Sequence, residues 1–333
     1  MARILKYDEI LGNREIKEHL QAAVRSGHVS HAYLIEGPSG MGKRLIAQTF
    51  AAALECESGG AEPCLSCRSC RRAMNSNLPD LIHVTHEKPQ LVRVEDIRTQ
   101  VVSDVLIRPD SPYKVYIIDD AEKMNEAAQN ALLKTIEEPP AYAVIILLAT
   151  NRTALLQTIL SRCVCLEMKP VPDEEIVSFL IDRTGADEEK AKICAAFAQG
   201  VPGKAVLLAQ SEDFMNLKQA AVDLVKRIGQ IDAVEMGREI RRINSFHMEP
   251  NDYLDILTVW YRDLIRFKAT QDADDLVFRD EVAEIRRQAG MISYQDIMAI
   301  LEGLKKAKER LRANVNYDLT MELLFRTMRE GVK

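Results

Sequence analysis

The sequence predicts an α/β protein, with a parallel sheet built around a phosphate-binding loop, followed by an all-α region. Three observations carry that prediction. Short, continuous apolar runs alternate with helix-like segments through the first half, the pattern of strands covered on both faces by crossover helices. A glycine loop ending in lysine, "EGPSGMGKRLIAQ" (residues 36–48), joins one such run to a helix. Beyond about Lys169 only helical periodicity remains.

Taken in order, "HAYLIEG" (31–37) reads as a buried strand entering the glycine loop, and "KRLIAQTFAAALEC" (43–56) as the helix after it. "DLIHVTHE" (80–87) is a strand candidate. "RVEDIRTQVVSDVLI" (93–107) carries Val94, Ile97, Val101 and Val105 at near-helical spacing. "YKVYIIDD" (113–120) is an apolar, β-branched strand ending in two acids. "NEAAQNALLKTIEE" (125–138) is a helix stopped by Pro139 and Pro140. "AVIILLATN" (143–151) and "CVCLEM" (163–168) are further buried strands. "KPVPDEE" (169–175) is a linker into a helix, with Pro172 and acids in the first turn. The expected divisions are 1–169 for the sheet domain with a cysteine module at about 56–70, 170–210 for a small helical unit around "AQGVPGKAVLLA", and 211–333 for a longer helical unit.

A chain of 333 residues has room for two or three domains. Hydrophobic content of 47% and charged content of 28% suit a soluble protein with packed cores. Aromatics at 5%, with one Trp, argue against a surface of stacked rings, and a net charge of −6 excludes a global basic field for nucleic acid or anionic membrane. The start "MARILKYDEI" lacks a signal-peptide pattern, and the longest aliphatic run, "AVIILLA", is too short to span a bilayer. The expectation is a cytoplasmic protein of bacterial type, with no membrane partner.

Gly37, Gly40, Gly42 and Lys43 form the phosphate loop: glycines let backbone N–H groups curl around phosphate oxygens, and lysine reaches the β and γ phosphates. Asp119, ending a neighbouring strand, suits a metal-holding acid. The next position, where a hydrolytic site carries glutamate, is Asp120, shorter by one methylene, about 1.5 Å of reach. Both acids read equally as a solvated strand end capping the next helix. Arg44 stands where a Ser or Thr hydroxyl would ligate Mg²⁺. It cannot do so, and it brings a cation to the metal's place. ATP and Mg²⁺ binding are therefore in question, and efficient hydrolysis is not expected.

Four of the seven cysteines fall in Cys56-x7-Cys64-x2-Cys67-x2-Cys70. Turn-rich spacers with Gly59, Gly60 and Pro63 suit a tetrahedral, structural Zn²⁺ in a reducing compartment. Iron–sulfur ligation uses similar spacing, but nothing else points to electron transfer. Unliganded buried thiols are the remaining alternative. Arg68, Arg71 and Arg72 would offset the thiolate charge, and Cys163, Cys165 and Cys194 read as core.

"LLATNRTALLQTILSRCVCLEM" completes a wider pattern: a strand ending in Thr150-Asn151, a short helix, then Ser161-Arg162-Cys163. With "SHAYLIEGPSGMGK", the cysteine insertion after the loop helix, and "NALLKTIEEPP", the chain resembles the clamp-loader branch of the AAA+ superfamily, and within it the delta-prime subunits of bacterial DNA polymerase III. The resemblance is strong in the first half. In the second half it rests on helical layout and the ending "RANVNYDLTMELLFRTM". It implies an AAA+ sheet domain, a lid domain and a helical collar for oligomerisation. It also implies that Arg162 is an arginine finger reaching a neighbour's ATP site; without the family, Arg162 reads as a surface arginine serving helix carbonyls. Thr150 and Asn151 fall at the sensor position, Lys204 where active relatives carry a coupling arginine, and "ILGNREIKEHL" (10–20) near adenine. The implied partners are gamma/tau-type and delta-type subunits in a five-membered assembly, with the sliding clamp and primer-template DNA met through the complex. The implied role is a stator with little ATPase of its own. The alternatives are an active gamma/tau-type motor, against which Arg44 and Asp120 both argue, and a zinc-dependent nucleic-acid-binding regulator.

Overall fold

The computed structural model describes residues 4–86, 91–246, 250–274 and 276–332. The last residue of the strand candidate at 80–87, like residues 1–3 and 333 of the expected domains, lies outside the described residues. The chain groups into two compact units, Met1–Ile176 with Gly200–Lys204, and Val177–Gln199 with Ala205–Lys333.

The first unit holds one sheet of five parallel strands: β1 (Ala32–Glu36), β2 (Leu81–Val84), β3 (Lys114–Ile118), β4 (Ala143–Ala149) and β5 (Val164–Glu167), in the order β2-β3-β4-β1-β5. Its helices are α1 (Arg14–Ser26), α2 (Lys43–Leu54), α3 (Arg68–Met74), α4 (Val94–Ile97), α5 (Glu126–Glu137) and α6 (Gln157–Leu160). Side chains alternate across a strand, so each strand feeds two cores. Leu34, Tyr116, Ile118, Ile145 and Leu147 face one way and pack with residues of α4 and α5. Tyr33, Ile35, Val115, Ile117, Ile146 and Leu148 face the other way and pack with α1 and α2. Both faces being covered, the central strands are apolar at successive positions, and every residue of β3 and β4 is buried.

Two expectations need correction. β5 is an edge strand with mixed burial; Cys165 is exposed and Cys163 only half-buried, so of the three outlying cysteines Cys194 alone is a core residue. The stretch 93–107 is not one α-helix. α4 runs into a π-helical turn, Arg98–Val102, and a 3₁₀ turn, Asp104–Leu106. Lys114, nearly buried on β3, explains the ending: its Nζ donates to Asp104 O at 2.7 Å and Ile107 O at 3.1 Å and pairs with the Asp104 carboxylate at 2.8 Å. Ile97, Val101 and Val105 remain buried through the wider turns.

The described residues of the second unit form helices and no strand. They contain parts of α7 (Asp173–Thr184) and α9 (Pro202–Gln210), with α8 (Glu188–Ala198), α10 (Glu212–Arg227), α11 (Ala233–Asn244), α12 (Pro250–Thr270), α13 (Val282–Met291), α14 (Tyr294–Arg312) and α15 (Tyr317–Val332). Helix starts are set by side-chain caps: Asp187 accepts from Lys190 N, Ser211 from Phe214 N, and Asp232 with Glu235 forms a reciprocal box. The scarce aromatics are spent inside. Phe197 meets Phe214 and Phe278 edge-on, Trp260 meets Phe278 at 5.1 Å, and the Trp260 indole donates to Gln288 Oε1 at 3.1 Å. No helix among the described residues is long and apolar enough to cross a membrane.

A close backbone contact and a buried acid give measurable consequences. Gly203 N donates to Gly40 O at 2.9 Å, and a Cβ on Gly203 would lie 2.7 Å from that oxygen. Gly203→Ala should therefore cost about 1–3 kcal/mol in urea unfolding. Gly290→Ala, in a helix with open space at the Cβ position, should instead add about 0.4–1 kcal/mol. Asp263 is buried and accepts Val277 N and Phe278 N, both at 2.9 Å. Burial pushes its carboxyl up to about 6 against the pull of those two donors. The folded state thus keeps a proton that the unfolded chain releases near pH 4. That stabilisation is complete below about pH 4 and is lost as pH rises through 6. Asp263→Asn, which keeps an acceptor and cannot ionise, should gain stability relative to wild type as pH rises from 5 to 7. A pH-independent difference in unfolding midpoints would overturn this reading.

Candidate functional site

The site lies on the edge of the sheet where the strands end. β1 runs into the loop at 37–42, and Gly37 N extends the pairing by donating to Ala149 O at 3.1 Å. Gly40 (φ +87°) and Gly42 (φ +92°) sit in the left-handed region, where a side chain is strained. A Cβ on Gly37 would meet Met168 Cβ at 3.0 Å, so the strand end after β5 backs the loop closely. α2 starts at Lys43 and aims its first N–H groups at the loop. Lys43 bends over the loop, donating to Gly37 O at 2.5 Å and Pro38 O at 3.0 Å. Burial lowers its pKa, and the acids Glu122, Asp120 and Asp119 oppose that shift.

Arg44 and Asp119 are each other's partners. Arg44 Nε donates to Asp119 Oδ2 at 2.5 Å, and Nη2 pairs with the same oxygen. The carboxylate that would serve a metal through water thus holds a guanidinium. Asp120 adopts a left-handed conformation (φ +48°) and pairs with Lys123 at 2.8 Å, so it starts the next turn rather than standing free beside the loop.

The other predicted positions divide. Thr150 is tied to Glu122: its N donates to Glu122 Oε1 at 3.1 Å and its hydroxyl bonds the same oxygen. Sequence reasoning missed Glu122; the signal was a third acid shortly after Asp119 and Asp120. Asn151 caps the following turn, accepting from Thr153 N at 2.9 Å. Lys204 ends the Gly200–Lys204 segment whose backbone meets the loop at Gly40. Ile10 is core, whereas Gly12 to Ile16 line a cavity of about 380 Å³ with Glu167, Lys169 to Pro172, and Glu175.

Arg162 stands away from this cluster, past the end of α6 and before β5. More than a third of its side chain is exposed. Its guanidinium donates to Thr158 O at 3.0 Å and Ser161 Oγ at 3.2 Å, and pairs with Glu137 at 3.0 Å. Serving a helix carbonyl is thus what this arginine does within its own chain. Glu137, at the end of α5, is the second residue that sequence reasoning missed.

The cysteine module folds as a separate cluster. The Sγ atoms of Cys56, Cys64, Cys67 and Cys70 all lie within 4.8 Å of one another, and Cys64 and Cys70 are 3.9 Å apart. Tetrahedral Zn–S bonds of about 2.3 Å would place sulfurs about 3.8 Å apart. Backbone N–H groups of Cys64, Cys67 and Cys70 donate to Cys56, Cys64 and Cys67 sulfurs at 3.2–3.4 Å, the polarity that thiolates require. Hydrogen bonds from Ser58, Ser66 and Cys67 bring the Cys64 thiol down to about 5, while burial pushes Cys70 up. The donor set, spacing and N–H···S pattern fit a four-coordinate metal ion.

A parallel sheet ordered β2-β3-β4-β1-β5, with a phosphate loop after the interior strand β1 and an acid after β3, defines an AAA+ domain. The chain matches the family described as "DNA polymerase III, delta subunit" over residues 12–172, and "DNA polymerase III, delta subunit, C terminal" over 232–328. It is similar to DNA polymerase III subunit delta' of Bacillus subtilis, at 30% identity over 94% of each chain. It is also similar to DNA polymerase III subunit tau of the same organism, at 26% identity over 92% of this chain and 58% of that one. The likeness to a solved gamma subunit-related protein from Thermotoga maritima covers 95% of this chain and 99% of that one, at 19% identity and a TM-score of 0.43. The chain belongs to the delta-prime family of DNA polymerase III subunits.

Proposed function

We propose that this chain is the stator of a clamp loader: a subunit that does not turn over ATP itself and lends Arg162 to a neighbouring motor subunit. The observation that carries the reading is the Arg44–Asp119 pair. A guanidinium occupies the acid that Mg²⁺ would need, and the hydroxyl ligand is missing from the same position. Gly37, Gly40, Gly42 and Lys43 keep the loop's shape, so the site retains its fold without its metal chemistry. Arg162 is supported as the finger by its exposed place, where among the described residues it is held by Glu137, a serine hydroxyl and one carbonyl. A neighbour's γ-phosphate would offer that guanidinium a stronger, bidentate partner. Charge stabilisation of this kind is worth about 10³–10⁵-fold in rate.

The partners in this reading are gamma/tau-type and delta-type subunits in a five-membered ring, with the sliding clamp and primer-template DNA met through the assembly. Residues 1–169 would form the AAA+ body, 170–210 the lid and 211–333 the collar. Exposed Val315, Leu319 and Leu323 give the collar apolar surface to cover. Zn²⁺ held by Cys56, Cys64, Cys67 and Cys70 would tie the loop after α2 to the start of α3; with four protein ligands it has a structural role. A cytoplasmic location, where thiols stay reduced, suits such a site.

Metal analysis of the purified chain should give about one zinc per chain. Chelation should lower the melting temperature, and Cys64→Ser should reduce zinc content; metal-free protein with unchanged stability would refute the site. In the ATPase assay, the chain alone should show no turnover above background. Added to motor and delta-type subunits it should restore DNA-stimulated hydrolysis, and Arg162→Ala should cut the restored rate roughly tenfold or more. Robust Mg²⁺-dependent turnover by the isolated chain would instead make it a motor.

A further inference from the structure

α3 carries a second feature, separate from both the phosphate loop and Arg162. Arg68, Arg71, Arg72 and Asn75 recur at the spacing of one helical face, and at 100° per residue they fall within about a third of the circumference. Cys70 and Ala73, which are buried, point the opposite way. The arginines therefore lie on the side of the helix opposite Cys70. Past the helix, Ser76 (φ +56°) turns the chain in the left-handed conformation, with Ser76 N bonded to Ala73 O at 3.0 Å and Asn77 N to Arg72 O at 2.8 Å. That turn folds Asn77 back beside Arg72. Arg68, Arg71, Arg72, Asn75 and Asn77 together line an open groove of about 300 Å³.

The charge of this groove is unanswered among the described residues. All five lining side chains are exposed, and none is acidic or apolar. Arg71 Nε donates to Ser66 O at 2.7 Å, but none of the three arginines has an ion pair among the described residues. Glu57, the acid near the helix start, is taken up by Ser69 N and Oγ. In a chain of net charge −6, three adjacent guanidinium groups with no ion pair among the described residues stand out against the overall field.

We propose that this groove binds the phosphodiester backbone of DNA without regard to sequence. Guanidinium forks match phosphate oxygens bidentately, and carboxamide N–H groups add neutral donors. From Arg68 to Asn75 the helix rises about 10 Å, enough to follow two or three phosphates of one strand. With no aromatic side chain in the lining, bases gain no stacking platform and base preference is not built in. An acidic peptide is the less suited occupant: the lining offers no apolar recess for its side chains and no strand edge for its backbone. The proposal does not depend on the Arg162 reading, because its test uses the chain alone and no nucleotide.

Fluorescence anisotropy of a labelled oligo-dT strand, titrated with the full zinc-loaded chain at several salt concentrations, tests it. Wild type should bind with a salt slope that reports these phosphate interactions. Arg68→Ala/Arg72→Ala should weaken binding roughly tenfold at low salt and reduce the slope by about 1.4, at about 0.7 for each of the two phosphates no longer neutralised. The Arg68→Lys/Arg72→Lys variant should keep most of the slope while binding somewhat more weakly. Zinc content and thermal melting must match wild type, which separates a binding defect from a folding one. Arg238→Ala/Arg241→Ala, an equal charge change on α11, should have little effect. Absence of binding by wild type, equal weakening by the α11 variant, or stronger competition by poly-glutamate than by unlabelled oligo-dT would each overturn the proposal.

Discussion

All five strands of the sheet run in the same direction, so the segment leaving each strand emerges on the same edge. Everything at the candidate site follows from that constraint. The phosphate loop leaves β1, Asp119 leaves β3, Thr150 leaves β4 and Met168 leaves β5, and they become neighbours although the chain separates them widely. The apolar residues of β3 and β4 supply the energy that holds this edge together, and none of them takes part in the chemistry. It is the division of labour expected of an open α/β sheet, in which the core fixes positions and the loops carry function.

Within that frame, one ion pair decides what the loop can do. The sequence displayed both members, Arg44 as a misplaced cation and Asp119 as a lone strand-end acid. It did not display that they answer each other, because the contact joins residues 75 positions apart, one opening α2 after β1 and the other just past β3, strands that β4 separates. Glu122 and Glu137 were harder still. Each is an ordinary acid in the sequence, and each acquires meaning only from the Thr150 or Arg162 that folding brings to it. The glycines and cysteines were easier to read, since their roles depend on backbone conformation and short-range spacing, which are local properties.

Where the local pattern misled, a tertiary contact had overridden it. An apolar stripe at near-helical spacing runs over 93–107, yet the buried Lys114 draws off two carbonyls at its end and the helix loosens into wider and tighter turns. The stripe still reports burial faithfully; it does not report hydrogen-bond register. Cys165 likewise had a strand's composition around it, but strand order put it on the outer edge, and order across a sheet has no local signature.

The strand order also bears on how the chain is made. β1 lies between β4 and β5, pairing Ala32 with Ile145 and Tyr33 with Val164, partners more than a hundred residues later in the chain. During synthesis, the strand that anchors the phosphate loop must therefore wait, apolar and unpaired, until β4 and β5 have left the ribosome. Non-local parallel pairing of this kind is slow and exposed to aggregation. α1, α2 and the cysteine module can form first, and a metal bound early would organise part of the nascent chain while its sheet still lacks a centre. The half-made protein would thus be most vulnerable along the strand that, once finished, is among the best protected.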